Sequence, residues 1–269
     1  MDTASVEPME DVIFKIQKFW WIYLTVVAST LMIIGCGSPP PAAKKTTPTP
    51  SVTPIPPEAV QVDKPVNVSF STYSKDWPVG WQWIDPDEKD APTTKDVKGG
   101  VLRVRVPNGK DLYGDKRNAP RYIKPITGDF EIETQVKVLP KENYQGAGLL
   151  IYLDGNNYMR FERAYGGIGG GGEGIRIDVR EGEEYHSIVT PNDIQTEAPE
   201  IQMKIVRSGP TFSAYWRIDE ESEWREAGVF ESKFPETIFT GLVACNTARE
   251  IIAEFGYIKL LPKTKRLDK

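Results

Sequence analysis

Alternation of apolar and polar residues dominates the chain beyond residue 63, and a period of two leaves little besides β-sheet to fold into. Phe130, Ile132, Thr134, Val136 and Val138 alternate with Glu131, Glu133, Gln135 and Lys137. Ile201, Met203 and Ile205 alternate with Gln202 and Lys204. Phe212, Ala214, Trp216 and Ile218 alternate with Ser213, Tyr215 and Arg217. Successive side chains of a strand point to opposite faces, so each run offers one face to a core and one to water. Further strands are expected over 101–106, 146–153, 158–164, 175–180 and 251–260. Turn signals separate them at Pro107-Asn108-Gly109, Asp154-Gly155-Asn156-Asn157 and Ser208-Gly209-Pro210. No amphipathic helix and no internal repeat is evident. Residues 63–262 suffice for one domain with a real core. Many short strands at this spacing predict an all-β, two-sheet antiparallel sandwich of the jelly-roll kind.

The first 36 residues carry a different signal. Lys15 and Lys18 precede an uncharged, mainly apolar run from Phe19, about 17 residues long, at the short edge of what spans a bilayer. It ends in Ile33-Ile34-Gly35-Cys36, which resembles a bacterial lipoprotein signal with its lipobox. That resemblance implies export, cleavage before Cys36 and lipidation of the Cys36 thiol. The alternative is an uncleaved membrane anchor, and both place the rest of the chain outside the cytoplasm. Gly37, standing where an aspartate would favour retention at the inner membrane, points to the outer membrane or cell surface. Residues 37–62 are dense in Pro and Thr and cannot bury enough apolar surface to fold. They read as a disordered, semi-rigid spacer with about 70 Å of reach. Residues 263–269 form a short basic tail.

Charge and cysteine usage narrow the partners. Setting the leader's two lysines and four acids aside from totals of 33 and 38 leaves 31 basic and 34 acidic residues, a net charge near −3. Such a balance gives no footprint for nucleic acid. With Cys36 lipidated, Cys245 is the remaining thiol, so no internal disulfide is expected. In the apolar run Gly241-Leu242-Val243-Ala244-Cys245 it reads as a buried small hydrophobe. The oligomeric state stays open.

Several segments resemble a known group. Ala119-Pro120-Arg121-Tyr122 runs into Gly128-Asp129-Phe130-Glu131-Ile132-Glu133. Gln145 to Ile151 forms a small-residue strand, followed after a turn by Asn157-Tyr158-Met159-Arg160-Phe161-Glu162-Arg163. Tyr215-Trp216 leads to Trp224, and Gly241 to Ala244 and Phe255 to Tyr257 complete the pattern. Together these are similar to the concanavalin A-like, laminin-G-like jelly rolls of the DUF1349 group, relatives of the C-terminal sandwich of family 43 β-xylosidases. The resemblance spans residues 77–260. Its hairpin tip departs from the group's Ser-x-Asp-Gly, reading Asp219-Glu220-Glu221-Ser222-Glu223 instead. The group implies a fold rather than one activity, since this sandwich hosts lectins, hydrolases and structural modules.

The chemistry-bearing residues point to binding. His186 is the only histidine and no nucleophile elbow is present, so neither a Ser-His triad nor a zinc site is expected. Glu131 and Glu133, two apart on one strand face with Cα atoms about 7 Å apart, are the enzymatic option as a glycosidase pair. Gln135 stands where a third acid would be expected, and a solvated strand face is the plainer reading. The glycine-rich stretch 166–174 lacks the Lys-Ser/Thr ending of a phosphate loop and reads as a loop between strands. No cofactor is expected. A structural calcium, implied by related jelly rolls, stays open at Asp85-Pro86-Asp87 or at Asp154 with Asn156.

Aromatic residues are the stronger lead. Trp81, Trp83, Tyr158, Tyr165, Tyr215 and Trp224 could stack on sugar rings or, for the tryptophans, fill the core. By alternation Tyr158, Arg160 and Glu162 face away from Met159 and Phe161, and Tyr215 and Arg217 away from Trp216. The expectation is one groove in which these tyrosines stack on a glycan or another cell-envelope polymer while Gln135, Arg160, Glu162 and Arg217 supply hydrogen bonds. The alternatives are a glycoside hydrolase using Glu131 and Glu133, or a structural envelope module that binds protein through an exposed apolar patch.

Overall fold

The computed structural model describes residues 65–70, 78–87, 91–114 and 117–262. The leader, Cys36, the spacer and the basic tail lie outside the described residues. Fifteen strands follow in chain order: β1 (Val66–Ser69), β2 (Gln82–Ile84), β3 (Thr94–Lys98), β4 (Val101–Val106) and β5 (Arg121–Thr127). Next come β6 (Phe130–Val138), β7 (Gln145–Asp154), β8 (Asn157–Tyr165), β9 (Glu173–Glu181) and β10 (Glu184–Val189). The last five are β11 (Glu200–Ser208), β12 (Thr211–Arg217), β13 (Arg225–Glu231), β14 (Thr237–Cys245) and β15 (Ile251–Pro262).

Two antiparallel sheets result. The first runs β13-β12-β11-β6-β15-β4-β3, with β1 also pairing β15, and the second runs β10-β9-β8-β7-β14-β5-β2. Between them lies the core, with Ile132, Val136, Met159, Phe161, Met203, Phe212 and Phe255 at its centre. Each such side chain contributes about 1.5–3 kcal/mol by leaving water. The predicted strands 130–138 and 101–106 form with those bounds, and the all-β jelly-roll sandwich is the observed architecture.

Strands that alternation does not reveal are buried on both faces or too short. β5 reads Arg-Tyr-Ile-Lys-Pro-Ile-Thr and is buried at five of its seven positions, so no polar face marks it. A second apolar cluster explains this. Leu112, Ala119, Ile123, Leu150, Tyr152, Tyr158, Phe239, Val243 and Cys245 pack on the outer side of the second sheet, away from the main core. The strap between β4 and β5 supplies Leu112 and Ala119. It is pinned by paired backbone bonds between Lys110 and Asn246, at 2.8 and 2.6 Å. The second sheet is therefore covered on both faces, whereas the outer face of the first sheet carries half-buried side chains.

Candidate functional site

The open face of the first sheet is assembled by register. Tyr215 on β12 lies opposite Lys204 on β11, Lys204 opposite Glu133 on β6, and Glu133 opposite Lys259 on β15. One step along, Arg217 faces Gln202 and Gln202 faces Gln135. Side chains two residues apart share a face, so these two rows form one polar-aromatic surface. Arg217 Nε donates to Gln202 Oε1 at 2.7 Å, and Gln135 Nε2 to Glu200 Oε1 at 2.6 Å.

Two local irregularities add aromatics to this surface. Between Phe255 and Ile258 the pairing of β15 with β6 slips, so that Gly256 and Tyr257 together oppose Gln135. This bulge reverses the alternation after the buried Phe255 and turns Tyr257 outward. Gly256 leaves the room that Gln135 needs: a Cβ there would come within 2.5 Å of Gln135 Oε1. The Tyr257 hydroxyl donates to Glu133 Oε1 at 2.5 Å, and Lys259 Nζ lies 3.2 Å from the same oxygen. Burial, then the bond to Glu133, raises the phenol above its usual range, so Tyr257 stays a neutral donor. The second irregularity is the acidic β12–β13 tip, which carries Trp224 back over the sheet. Lys204 Nζ lies 4.3 Å and Arg217 Cζ 4.4 Å from the Trp224 ring centroid, and Lys204 is also 5.4 Å from that of Tyr215.

The single groove expected from Gln135, Tyr158, Arg160, Glu162, Tyr215 and Arg217 is not what forms. Gln135, Tyr215 and Arg217 lie on the outer face of the first sheet. Tyr158, Arg160 and Glu162 point away from the core on the other side of the sandwich, and all three have no exposed surface. Their alternation was sound, but the strap and the Gly166–Gly172 loop cover the face they occupy. Arg160 lies opposite Asp178 and Glu162 opposite Arg176 across β8 and β9. Arg160 Nη1 donates to Asp111 Oδ1 at 2.5 Å, and its Nη2 lies 2.9 Å from Asp178 Oδ2. Arg176 Nη2 donates to Glu162 Oε2 at 2.7 Å and its Nη1 to the Gly166 carbonyl at 3.2 Å. That carbonyl reaches Arg176 because Gly166 and Gly167 both adopt positive φ, at 57° and 138°. Burial alone would lower the Arg160 pKa, but Asp111, Glu162 and Asp178 outweigh it and hold the guanidinium charged. Tyr158, raised above its usual range by burial, packs beside this network and cannot stack on a ligand.

The remaining candidates are placed as follows. Trp81 is core and stacks on Tyr122 with centroids 5.0 Å apart, as its core reading anticipates. Trp83 packs at the core's edge beneath Lys95, and Tyr165 is half-buried at the end of β8. Glu131 shares the open face with Glu133, whose carboxylate is engaged by Tyr257 and Lys259. Asp85 accepts from Lys110 Nζ at 2.6 Å and from the Thr93 amide, and Asp154 from Asn156 and Asn157. Among the described residues no group of three acidic, histidine or cysteine side chains is placed to hold a metal. Cys245 is buried, and burial raises its thiol pKa well above the usual value. Lys204, Gln202, Tyr257 and Lys259 also belong to the outer face of the first sheet. The alternation of β11 could have indicated the first two. Tyr257 shares parity with the core residue Phe255, and only the bulge reveals it.

The family model of the beta xylosidase C-terminal concanavalin A-like domain matches residues 69–258. No curated protein sequence matches the chain. Among solved structures, the GH43 BlXynB protein of Bacillus licheniformis is 18% identical over 73% of this chain and 39% of its own, with a TM-score of 0.59. A xylan beta-1,4-xylosidase of Bacillus halodurans is 19% identical over 62% of this chain and 34% of its own, with a TM-score of 0.51. A functionally unknown protein of Saccharomyces cerevisiae is 12% identical over 68% of this chain and 97% of its own, with a TM-score of 0.54. At these identities the likeness is one of fold, and the chain spans little more than a third of the two bacterial proteins.

Proposed function

Since the chain belongs to the family of beta xylosidase C-terminal concanavalin A-like domains, we propose that it binds carbohydrate through the outer face of its first sheet. The observation that carries this reading is the grouping of half-buried Tyr215, Trp224 and Tyr257 with Gln135, Lys204 and Arg217 on the outer face of the first sheet, over the buried Gln202. Flat apolar rings rimmed by hydrogen-bonding groups suit the C–H faces and hydroxyls of a sugar. The opposite face, by contrast, is filled by its own salt-bridge network.

The reading is one of binding without catalysis. Glu131 is half-buried and Glu133 buried on the outer face of the first sheet, and the Glu133 carboxylate is bonded by Tyr257 and Lys259 rather than held ready for a leaving group. The lipobox at Cys36 and the proline-rich spacer support display of the domain beyond a bacterial membrane, where it would meet envelope or environmental polymers.

A glycan array probed with the full chain in detergent tests the reading, with Trp224→Ala and Tyr215→Ala as comparisons. Selective binding that falls about ten-fold or more in either variant is the expected result, each stacked ring being worth about 0.5–1.5 kcal/mol beyond the area it buries. A blank array from folded protein would overturn it. So would release of reducing sugar that disappears in Glu133→Gln, which would establish a hydrolase instead.

A further inference from the structure

The charges around Trp224 specify the sugar further. Lys204 and Arg217 both lie within cation–π distance of its ring, and among the described residues neither forms an ion pair. Arg217 donates to the neutral Gln202 amide and to the Glu220 backbone carbonyl at 3.1 Å. Lys204 lies opposite Glu133 in register, yet that carboxylate is taken by Tyr257 and Lys259 from the neighbouring strand. Four acids crowd the adjacent tip at Asp219, Glu220, Glu221 and Glu223; the exposed Asp219 accepts from Ser222 and feels Arg217 only at longer range than an ion pair. Two cations thus stand beside one aromatic ring, and neither is in an ion pair with a carboxylate of the described residues.

We infer that the face selects an acidic polysaccharide, one whose sugar ring stacks at Trp224 while its carboxylate meets Lys204 and Arg217. This rests on the carbohydrate-binding reading and names the ligand class within it. A uronate combines a C–H face with a carboxylate at the ring edge, which matches an aromatic flanked by cations. A neutral sugar would meet the ring but leave both charges unanswered. The chain as a whole carries a net charge of −5, so general attraction to polyanions works against binding and selectivity has to arise at this local pair.

Titration of the full chain in detergent, followed by tryptophan fluorescence, distinguishes the outcomes. The probes are glucuronoxylan, the same polymer with its carboxyl groups reduced, oligogalacturonate and dextran sulfate. Binding to glucuronoxylan or oligogalacturonate is expected to exceed binding to the reduced polymer by about ten-fold, the gain of one charge-assisted hydrogen bond. Lys204→Met and Arg217→Met should each remove that preference, and Lys204→Arg should keep it, which separates lost charge from lost folding. Equal affinity for the native and reduced polymers would overturn the inference and leave carbohydrate binding standing. No binding of any sugar by folded protein would overturn both. Dextran sulfate binding as tightly, with no loss in Trp224→Ala, would reduce the site to ion exchange and overturn the inference.

Discussion

Removing one guanidinium, that of Arg160, would leave Asp111 without its ion-pair partner and Asp178 with Arg176 alone. Asp111 accepts from Arg160 at 2.5 Å, and Asp178 divides its contacts between Arg160 at 2.9 Å and Arg176 at 3.3 Å. Breaking a buried pair from one side costs about 3–5 kcal/mol, because the remaining charge keeps its desolvation penalty without a counter-ion. Arg160→Ala is therefore expected to lower the stability of the domain by about that amount in urea denaturation. Arg217→Ala, whose partners on the open face are a neutral amide and a backbone carbonyl, should change it by less than about 1 kcal/mol. Comparable losses in both variants would contradict the separation of a structural face from a binding face. At this scale polarity and parity are legible in sequence: Arg160 and Arg217 both read as polar residues pointing away from a core. What covers each of them is not, because the covering segments come from elsewhere in the chain.

Among the elements, the β12–β13 hairpin joins the site to its turn chemistry. Asp219 accepts from the Ser222 hydroxyl at 2.6 Å and from its amide at 2.9 Å, closing the tip that returns Trp224 to the sheet. The bond from the Ser222 side chain, followed by backbone contacts, lowers the Asp219 pKa below its ordinary 3.8. A carboxyl whose folded pKa lies below the unfolded one adds stability that is complete above the unfolded value and lost as pH falls through the folded value. Asp219, followed by NMR as pH is lowered, should thus titrate below 3.8 in the native chain. In Ser222→Ala its midpoint should return towards the ordinary value, and an unchanged midpoint would show that the hydroxyl does not hold the tip. The β15 bulge is the other decisive element, since it sends Tyr257 to the surface from a position whose parity belongs to the core.

The described residues form a sandwich with one sealed side and one less covered side, and the reading drawn from the leader proposes a lipid-anchored tether for it. Labelled palmitate fed to a bacterial host should appear on the intact protein and be lost in Cys36→Ala. Membrane-bound but unlabelled native protein would favour the uncleaved anchor instead. The sequence by itself determined the fold class, since a period of two repeated over many strands admits little else. It also placed Tyr215, Arg217 and Gln135 on an outward strand face and Cys245 in an apolar one. It could not say which sheet each outward face belongs to, because register and strand order are set by contacts between segments as distant in sequence as Val66 and Leu260. Tertiary structure alone decided that Asp111, Leu112 and Ala119 pack against Tyr158 and Arg160, that Arg176 and the Gly166 carbonyl close off Glu162, and that a bulge adds Tyr257 to the opposite face. The physical reason is common to both: burial depends on what is brought against a surface, while alternation records only that the surface exists.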